Sequence, residues 1–298
     1  MFLLKSNRLR VEISEPGECP NNNFRFDRAG FISEVVLDGD RHFCANEPKN
    51  LAHPSTGGRG LCCEYTADYS GEVNDGEYYP KFGIGLIKKD GPYCFYTRYP
   101  DVKEFPVSFS HDETSAEFVT DPIVCLGYGL KSRKKISAEE NRLTVEVVLE
   151  NVGEKEIVTE EYCHNFLSID GMAVSPDYRL DLPTVAGLGG REIPNQYPGP
   201  CNFLADGNGI ALKRCETAVS LSSIPLDGME ETGEFVWRLI HKGAKAMVVG
   251  RDFITPSKLT LWSADHIISP EIFHTVSVKP GGSVSWKRCM AFESVVQK

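Results

Sequence analysis

Apolar and polar residues alternate in short runs along most of the chain. In the clearest run, Leu143, Val145, Val147 and Leu149 occupy every second position. A period of two places these side chains on one face of a β-strand. Similar runs recur about every ten residues, with turn residues between them. No segment of helical length has apolar residues at helical spacing, so the pattern predicts an all-β protein of two large, packed antiparallel sheets.

Two stretches depart from this pattern. Residues 45–60 look irregular and include the glycine-rich run 53–60, which lacks the lysine and hydroxyl pair of a phosphate-binding loop. Residues 182–209 are rich in Gly, Pro and Asn and predict a long surface excursion. Strands are predicted before and after both stretches, including short ones at 24–26 and 31–37. We therefore expect a single domain over residues 1–298.

Charge and cysteine content narrow the function classes. The net charge of −10 argues against a nucleic-acid or anionic-membrane partner, because those partners favour basic patches. The apolar run after Met1 is too short for a signal peptide, and no segment has the length of a membrane-spanning helix. The ten cysteines form no Cys-x-x-Cys pair. They are therefore expected to be free thiols in a cytoplasmic protein.

The most distinctive polar cluster follows the strand-like run 157–161. If the strand continues through Phe166, His164 shares a face with Tyr162 and Phe166, whereas Asn165 points to the other face. A histidine among aromatic side chains can act as an acid or a base where the site is open to substrate. The alternative is a buried histidine that is bonded to a backbone carbonyl.

Other chemistries fit the sequence less well. No His-x-His pair suggests a cupin metal site, and no Gly-x-Ser-x-Gly elbow is present. Cys163 and His164 are adjacent in a strand and would point to opposite faces, which disfavours a thiol nucleophile. The basic cluster 131–135 indicates a solvated or edge strand face more than an anion site.

Three stretches together resemble the galactose mutarotase-like family, which includes the aldose 1-epimerases. They are residues 149–153 leading into 162–166, residues 81–86 followed by Tyr93 and Tyr96, and residues 261–271 followed by 278–282 and Trp286. The resemblance implies a β-supersandwich fold and acid–base opening of a sugar ring at its anomeric carbon. It implies that His164 is the general acid and Glu271 the general base, without a metal or organic cofactor. The family's order is reversed at two places, since His164 precedes Asn165 and Pro270 precedes Glu271.

The resemblance also implies a sugar partner, either a monosaccharide or a sugar derivative. Arg59 is the best match for the family's early arginine, whose guanidinium offers fixed donors to vicinal hydroxyls. The other candidate sugar contacts are Lys81, Asn165, Asp206 and His266. The leading prediction is an aldose 1-epimerase-like isomerase. The alternative is a carbohydrate-binding protein that keeps the cleft without the chemistry.

Overall fold

The computed structural model describes residues 1–18, 24–47, 57–214, 219–227, 229 and 233–294. Within these ranges the regular structure is β-strand, apart from two short 3₁₀ turns at Ser70–Glu72 and Ile169–Gly171. The prediction of an all-β protein with large antiparallel sheets is therefore confirmed. In chain order the strands are β1 (Phe2–Lys5), β2 (Leu9–Ser14), β3 (Phe31–Leu37), β4 (Arg41–His42), β5 (Leu61–Tyr65), β6 (Tyr78–Lys81), β7 (Gly85–Lys88), β8 (Val102–Glu104), β9 (Val107–His111), β10 (Ser115–Thr120), β11 (Leu130–Glu139), β12 (Arg142–Asn151), β13 (Ile157–Asn165), β14 (Tyr178–Asp181), β15 (Phe203–Asp206), β16 (Gly209–Leu212), β17 (Ser220–Ile224), β18 (Phe235–His241), β19 (Ala246–Phe253), β20 (Lys258–Ala264), β21 (Ile267–Val278) and β22 (Ser283–Ser294).

Two large sheets account for most of these strands. The nine-stranded sheet has the order β1-β2-β3-β5-β13-β21-β20-β17, with β4 also paired to β3. The ten-stranded sheet has the order β15-β16-β14-β18-β19-β22-β12-β11-β10-β9, and β6, β7 and β8 form a small third sheet. Strand β13 lies between β5 and β21, antiparallel to both, which places its side chains near the middle of the nine-stranded sheet.

The apolar core lies between the facing surfaces of the two large sheets. Strand β12 shows how the sequence produces it, because Leu143, Val147 and Leu149 are buried whereas the intervening Glu146 and Val148 are exposed. Phe43, which follows β4, packs edge-on against Phe292 of β22 with ring centroids 4.9 Å apart. Each such buried side chain contributes about 1.5–3 kcal/mol, so the period-two pattern is what holds the sheets together.

Two local predictions need correction. Residues 24–26 are bends and not a strand, because Arg25 turns towards tertiary partners that are described below. The basic cluster 131–135 is not solvated throughout, since Lys134 of β11 is buried and its Nζ lies 2.7 Å from Asp27 Oδ2. Its neighbours Arg133 and Lys135 point outwards, as the alternation of side chains along a strand requires.

The described part of the chain contains no helix with the length and apolar character needed to cross a bilayer. No disulfide joins the eight cysteines that the structure describes. Cys19 and Cys215 lie outside the described residues, as does the stretch 53–56 of the glycine-rich loop.

Candidate active site

A cavity of about 710 Å³ opens on the face of the nine-stranded sheet that points away from the ten-stranded sheet. Its floor is formed by side chains from β13, β20 and β21 that alternate towards this face. Its walls come from segments outside the regular strands, which contribute Arg25, Glu47, Phe95, Tyr96 and Tyr197. Pockets of this size accept small organic ligands, and this one gathers charged and aromatic side chains, so the cavity is the strongest candidate for a binding site.

His164 and Glu271 meet at the floor of this cavity. The β13–β21 ladder pairs Ile157 with Val278 and Tyr162 with Phe273, and the same register brings His164 opposite Glu271. His164 Nε2 lies 2.9 Å from Glu271 Oε1, and the two residues are only 4% and 5% exposed. The imidazole also stacks on Phe166 with ring centroids 3.8 Å apart. This packing holds the ring in one orientation beside the carboxylate.

Hydroxyl groups complete the surroundings of the pair. Ser269 Oγ is hydrogen-bonded to His164 Nδ1 at 2.7 Å, and Thr260 Oγ1 donates to Glu271 Oε2 at 2.5 Å. Burial alone would raise the pKa of Glu271, but His164 and Thr260 outweigh it and leave that pKa below its usual range. Glu271 is therefore held as a carboxylate that can accept a proton.

Arg25 contributes its guanidinium group to the cavity wall. Its guanidinium lies between the rings of Phe26 and Phe95, at 4.8 and 4.9 Å from their centroids. Arg25 Nε is 3.5 Å from Glu64 Oε2, and this carboxylate also accepts a hydrogen bond from the Tyr162 hydroxyl at 2.6 Å. Burial lowers the pKa of Arg25, but nearby Tyr162 and Glu64 raise it above its usual range. The cavity wall therefore carries a fixed positive charge with directed N–H donors.

Glu47 adds a second carboxylate beside the pair. Burial raises its pKa, although His164 and Arg25 act in the opposite direction. Its Oε2 is buried and has no hydrogen-bond partner within the described residues. A side chain at Gly58 would collide with this oxygen and with Phe166, since a Cβ there would lie 2.7 and 2.2 Å from them. Glycine at position 58 thus leaves room for the Glu47 carboxylate.

The five predicted sugar contacts do not gather in this cavity. Arg59 lines a separate depression with Met1, Ser14 and Glu18. Asn165 points to the opposite face of β13, where its Nδ2 donates to the Pro270 carbonyl at 2.7 Å. The alternation of side chains along the strand explains this placement, because Asn165 follows His164 directly.

The remaining three have other partners. Lys81 is buried, and its Nζ donates to Glu64 Oε1 at 3.2 Å and to the Tyr65 carbonyl at 2.6 Å, so it supports Glu64 from behind. Asp206 is exposed and ion-paired with Arg179 at 2.6 Å. His266 lines a second depression, where its ring bonds to Asp265 at 2.7 Å.

Sequence reasoning missed Arg25, Glu47, Thr260 and Ser269. Arg25 and Phe26 were assigned to a strand, and Glu47 lay in a stretch that looked irregular. Ser269 carries one local signal, since it lies two residues before Glu271 within a stretch that supports the family resemblance, and Thr260 lies directly before that stretch. Within the described residues, His, Cys, Asp and Glu form no cluster with the geometry of a metal site.

The architecture is similar to solved structures of sugar epimerase-like proteins. A galactose mutarotase-like protein from Lactobacillus casei aligns with a TM-score of 0.62 at 13% identity, covering 98% of this chain and 100% of that one. A galactose mutarotase related enzyme from Lactobacillus acidophilus aligns with a TM-score of 0.62 at 14% identity, covering 100% and 98%. A putative aldose 1-epimerase from Escherichia coli K12 aligns with a TM-score of 0.61 at 12% identity, covering 99% of each chain.

These likenesses span whole chains at low identity, and at such identity they establish the fold alone. The protein therefore has the galactose mutarotase-like fold that the sequence resemblance implied. The chain matches no protein-family model and no curated protein.

Proposed function

We propose that this protein is an aldose 1-epimerase-like isomerase, which interconverts the anomers of a reducing sugar. The observation that carries the proposal is the His164–Glu271 pair, with Nε2 and Oε1 2.9 Å apart at the floor of the cavity. Mutarotation needs one base and one acid at two oxygens that are bonded to the same carbon. Two reactive atoms this close together can serve both oxygens of one anomeric centre.

The reaction would proceed by two coupled proton transfers. Glu271 takes the proton of the anomeric hydroxyl while protonated His164 gives its proton to the ring oxygen. The bond between the anomeric carbon and the ring oxygen breaks, and the hydroxyl oxygen becomes the oxygen of an open-chain aldehyde. Rotation about the adjacent carbon–carbon bond exposes the other aldehyde face. Ring closure then reverses both proton transfers and restores the starting protonation states.

Neighbouring groups support these two roles. Thr260 bonds Glu271 Oε2 and so leaves Oε1 directed at His164. In the proposal the sugar replaces the direct His164–Glu271 contact, with its anomeric hydroxyl on Glu271 and its ring oxygen on His164. Arg25 would donate to ring hydroxyls, and the unpartnered Oε2 of Glu47 would accept from one. Arg25 thus takes the role that the sequence resemblance gave to Arg59.

A second candidate function is non-catalytic carbohydrate binding. One observation favours it, since His164 and Glu271 already satisfy each other and are bonded to Ser269 and Thr260. A binding protein would keep such a pair closed and bind the sugar through Arg25 and Glu47 alone.

Polarimetry or NMR of anomer interconversion separates these functions. The wild type should accelerate the reaction, and His164→Asn and Glu271→Gln should each lower kcat by about 10²–10⁴-fold, because each group supplies proton transfer. Both variants should still bind sugar, since shape and hydrogen bonding are kept. The double variant should be hardly worse than either single one, because the two groups act as a unit.

The role of Arg25 in sugar binding is tested by Arg25→Lys, with Arg59→Lys as the matched control. Arg25→Lys should weaken sugar binding about tenfold, because lysine lacks the planar fork of donors. Arg59→Lys should leave binding unchanged.

Tight sugar binding by a wild type that does not accelerate anomer interconversion would instead establish the binding function. Full activity of Glu271→Gln would remove Glu271 as the base.

A further inference from the structure

The mouth of the cavity is lined by aromatic side chains that have no packing role in the core. Phe95, Tyr96 and Tyr197 are 45%, 53% and 43% exposed, whereas His164 and Glu271 at the floor are almost fully buried. Exposed aromatic side chains around a cleft commonly mark a ligand-binding surface. The apolar C–H faces of sugar rings stack on such side chains.

The aromatic side chains come from two segments that are far apart in the sequence and line the same cavity. Phe95 and Tyr96 lie between β7 and β8, with their rings edge to face and centroids 5.2 Å apart. Tyr197 lies between β14 and β15, next to Gln196, whose backbone N–H donates to the Leu221 carbonyl at 2.7 Å. The two segments therefore both contribute to the lining of one cavity.

Arg25 connects the mouth to the floor. One ring that packs against its guanidinium, Phe26, contacts His164 edge-on with centroids 5.9 Å apart. The other ring is Phe95 of the mouth. The aromatic surface is thus continuous with the proposed reaction site, so one ligand can touch both.

The charges of the cavity favour an uncharged ligand. Among the described residues that line it, each cation has a carboxylate nearby. His164 lies 2.9 Å from Glu271, Arg25 lies 3.5 Å from Glu64, and Lys258 lies 3.4 Å from Glu160. Glu47 adds a further acid to the wall. A phosphate carries a charge of about −1.5 to −2 and would find no uncommitted cation here.

We propose that the cavity accepts a neutral reducing disaccharide or a longer saccharide with a 1→4 linkage, and that its second sugar ring stacks on Phe95, Tyr96 and Tyr197. The orientation of the saccharide in this inference rests on the proposed function. The anomeric carbon lies at the floor beside His164 and Glu271. In a pyranose the C4 position is at the opposite end of the ring from C1. A substituent at C4 is therefore directed at the mouth, where the exposed aromatic side chains are.

Mutarotation of matched sugars tests the inference. The wild type should show a kcat/KM for maltose, cellobiose or lactose that is about three- to tenfold above that for the corresponding monosaccharide. Melibiose and isomaltose, whose linkage is 1→6, should show no such gain, and glucose 6-phosphate should be a poor substrate. Tyr96→Ala and Tyr197→Ala should each reduce the ratio of disaccharide to monosaccharide kcat/KM towards one.

Two controls accompany these variants. Tyr96→Phe keeps the ring and should therefore keep the wild-type ratio of disaccharide to monosaccharide kcat/KM. Phe253→Ala removes an exposed aromatic side chain on β19, which does not line the cavity, and should leave the ratio unchanged. Calorimetric binding of methyl glycosides of the same sugars gives a readout that needs no ring opening, because these glycosides cannot mutarotate.

The outcomes separate the two proposals. If no sugar is mutarotated but methyl maltoside binds more tightly than methyl glucoside and Tyr96→Ala abolishes the difference, the aromatic subsite stands and the isomerase proposal fails. If monosaccharides are mutarotated but the disaccharide ratio is one in the wild type, the subsite is overturned and the isomerase proposal stands. A preference for glucose 6-phosphate would also overturn the subsite.

Discussion

Two buried histidine–glutamate pairs join the same two strands on opposite faces of the nine-stranded sheet. On the cavity face, His164 of β13 meets Glu271 of β21 at 2.9 Å. On the inner face, Glu161 of β13 meets His274 of β21 at 3.0 Å. In the first pair β13 provides the histidine and β21 the glutamate, whereas in the second pair β13 provides the glutamate and β21 the histidine. All four side chains are buried. Residue identity and burial therefore do not show which of the two pairs could act on a ligand.

The partners of the two pairs distinguish them. Arg288 of β22 reaches across from the ten-stranded sheet, with Nη2 2.5 Å from Glu161 Oε2 and Nη1 3.2 Å from Asp252 Oδ1. Asp252 also accepts a hydrogen bond from Trp237 Nε1 at 3.0 Å. These contacts enclose the inner pair between the sheets. Within the described residues, the other hydrogen-bond partners of the cavity pair are the hydroxyls of Thr260 and Ser269. Both members of this pair line the cavity, so it is the one of the two pairs that a ligand in the cavity can meet.

The first prediction removes the cation that encloses the inner pair. Arg288→Met leaves Glu161 and Asp252 buried without their arginine, and should lower the free energy of unfolding by about 3–5 kcal/mol. Urea unfolding measures this loss, and the activity per folded molecule should be unchanged. Arg251→Met is the matched control on neighbouring β19, because Arg251 is exposed and pairs with Glu234 at 3.0 Å.

The control should cost less than about 1 kcal/mol, which is the usual range for a surface ion pair. If Arg288→Met instead abolished mutarotation while unfolding was unaffected, the inner network would belong to the reaction. The division between a structural and a reactive pair would then be wrong.

The second prediction uses pH to measure the inner pair. Burial raises the pKa of Glu161, but Arg288 and His274 outweigh it and lower that pKa from 4.5 to about 2. A depressed pKa in the folded state stabilises the protein above pH 4.5, and this stabilisation is lost as the pH falls towards 2. The amount is about 3 kcal/mol, since one pKa unit corresponds to about 1.4 kcal/mol.

Asp252 acts in the opposite direction, because burial outweighs Arg288 and Trp237 and raises its pKa. Comparison of the wild type with Glu161→Gln isolates the Glu161 contribution, since both proteins keep Asp252. In urea unfolding from about pH 6 to about pH 3, the stability gap between the two proteins should narrow on acidification. A gap that stayed constant would mean that Glu161 does not titrate as an ion-paired carboxylate.

The sequence predicted the cavity pair better than its surroundings. Alternation along β13 placed His164 with Tyr162 and Phe166 and opposite to Asn165, and the side chains point in these directions. The inner pair of Glu161 and His274 was not predicted, because the register between β13 and β21 joins residues that are far apart in the chain.

Arg25 shows why local patterns fail for cavity walls. Its neighbours Phe24 and Phe26 suggested a strand, but its position is determined by Phe95 and Glu64, which are distant in sequence. Arg59 was preferred because the family resemblance calls for an early arginine. The chain holds more than one such arginine, and only the three-dimensional arrangement shows which one lies beside His164.

The last prediction has the smallest effect at neutral pH and concerns the Thr260 hydroxyl, which bonds to the cavity pair. Thr260 donates to Glu271 Oε2 at 2.5 Å and helps to keep the pKa of Glu271 low. Thr260→Val keeps the shape and removes the donor, so the pKa of Glu271 should rise. The acidic limb of kcat/KM against pH should then move to higher pH. At pH 7 the activity should change by less than about threefold, because the carboxylate is still ionised there.

Thr260→Ser is the matched control, since it keeps the hydroxyl and should keep the acidic limb in place. The measurement is the rate of anomer interconversion across the acid range, with unfolding followed at each pH to exclude loss of structure. A Thr260→Val limb that coincided with that of the wild type would show that Glu271 is not the group whose ionisation the rate follows. If the acidic limb moved in both variants, the shift would be due to altered packing around β20. Thr260→Ser loses a methyl group but keeps the hydrogen bond, whereas Thr260→Val loses the hydrogen bond.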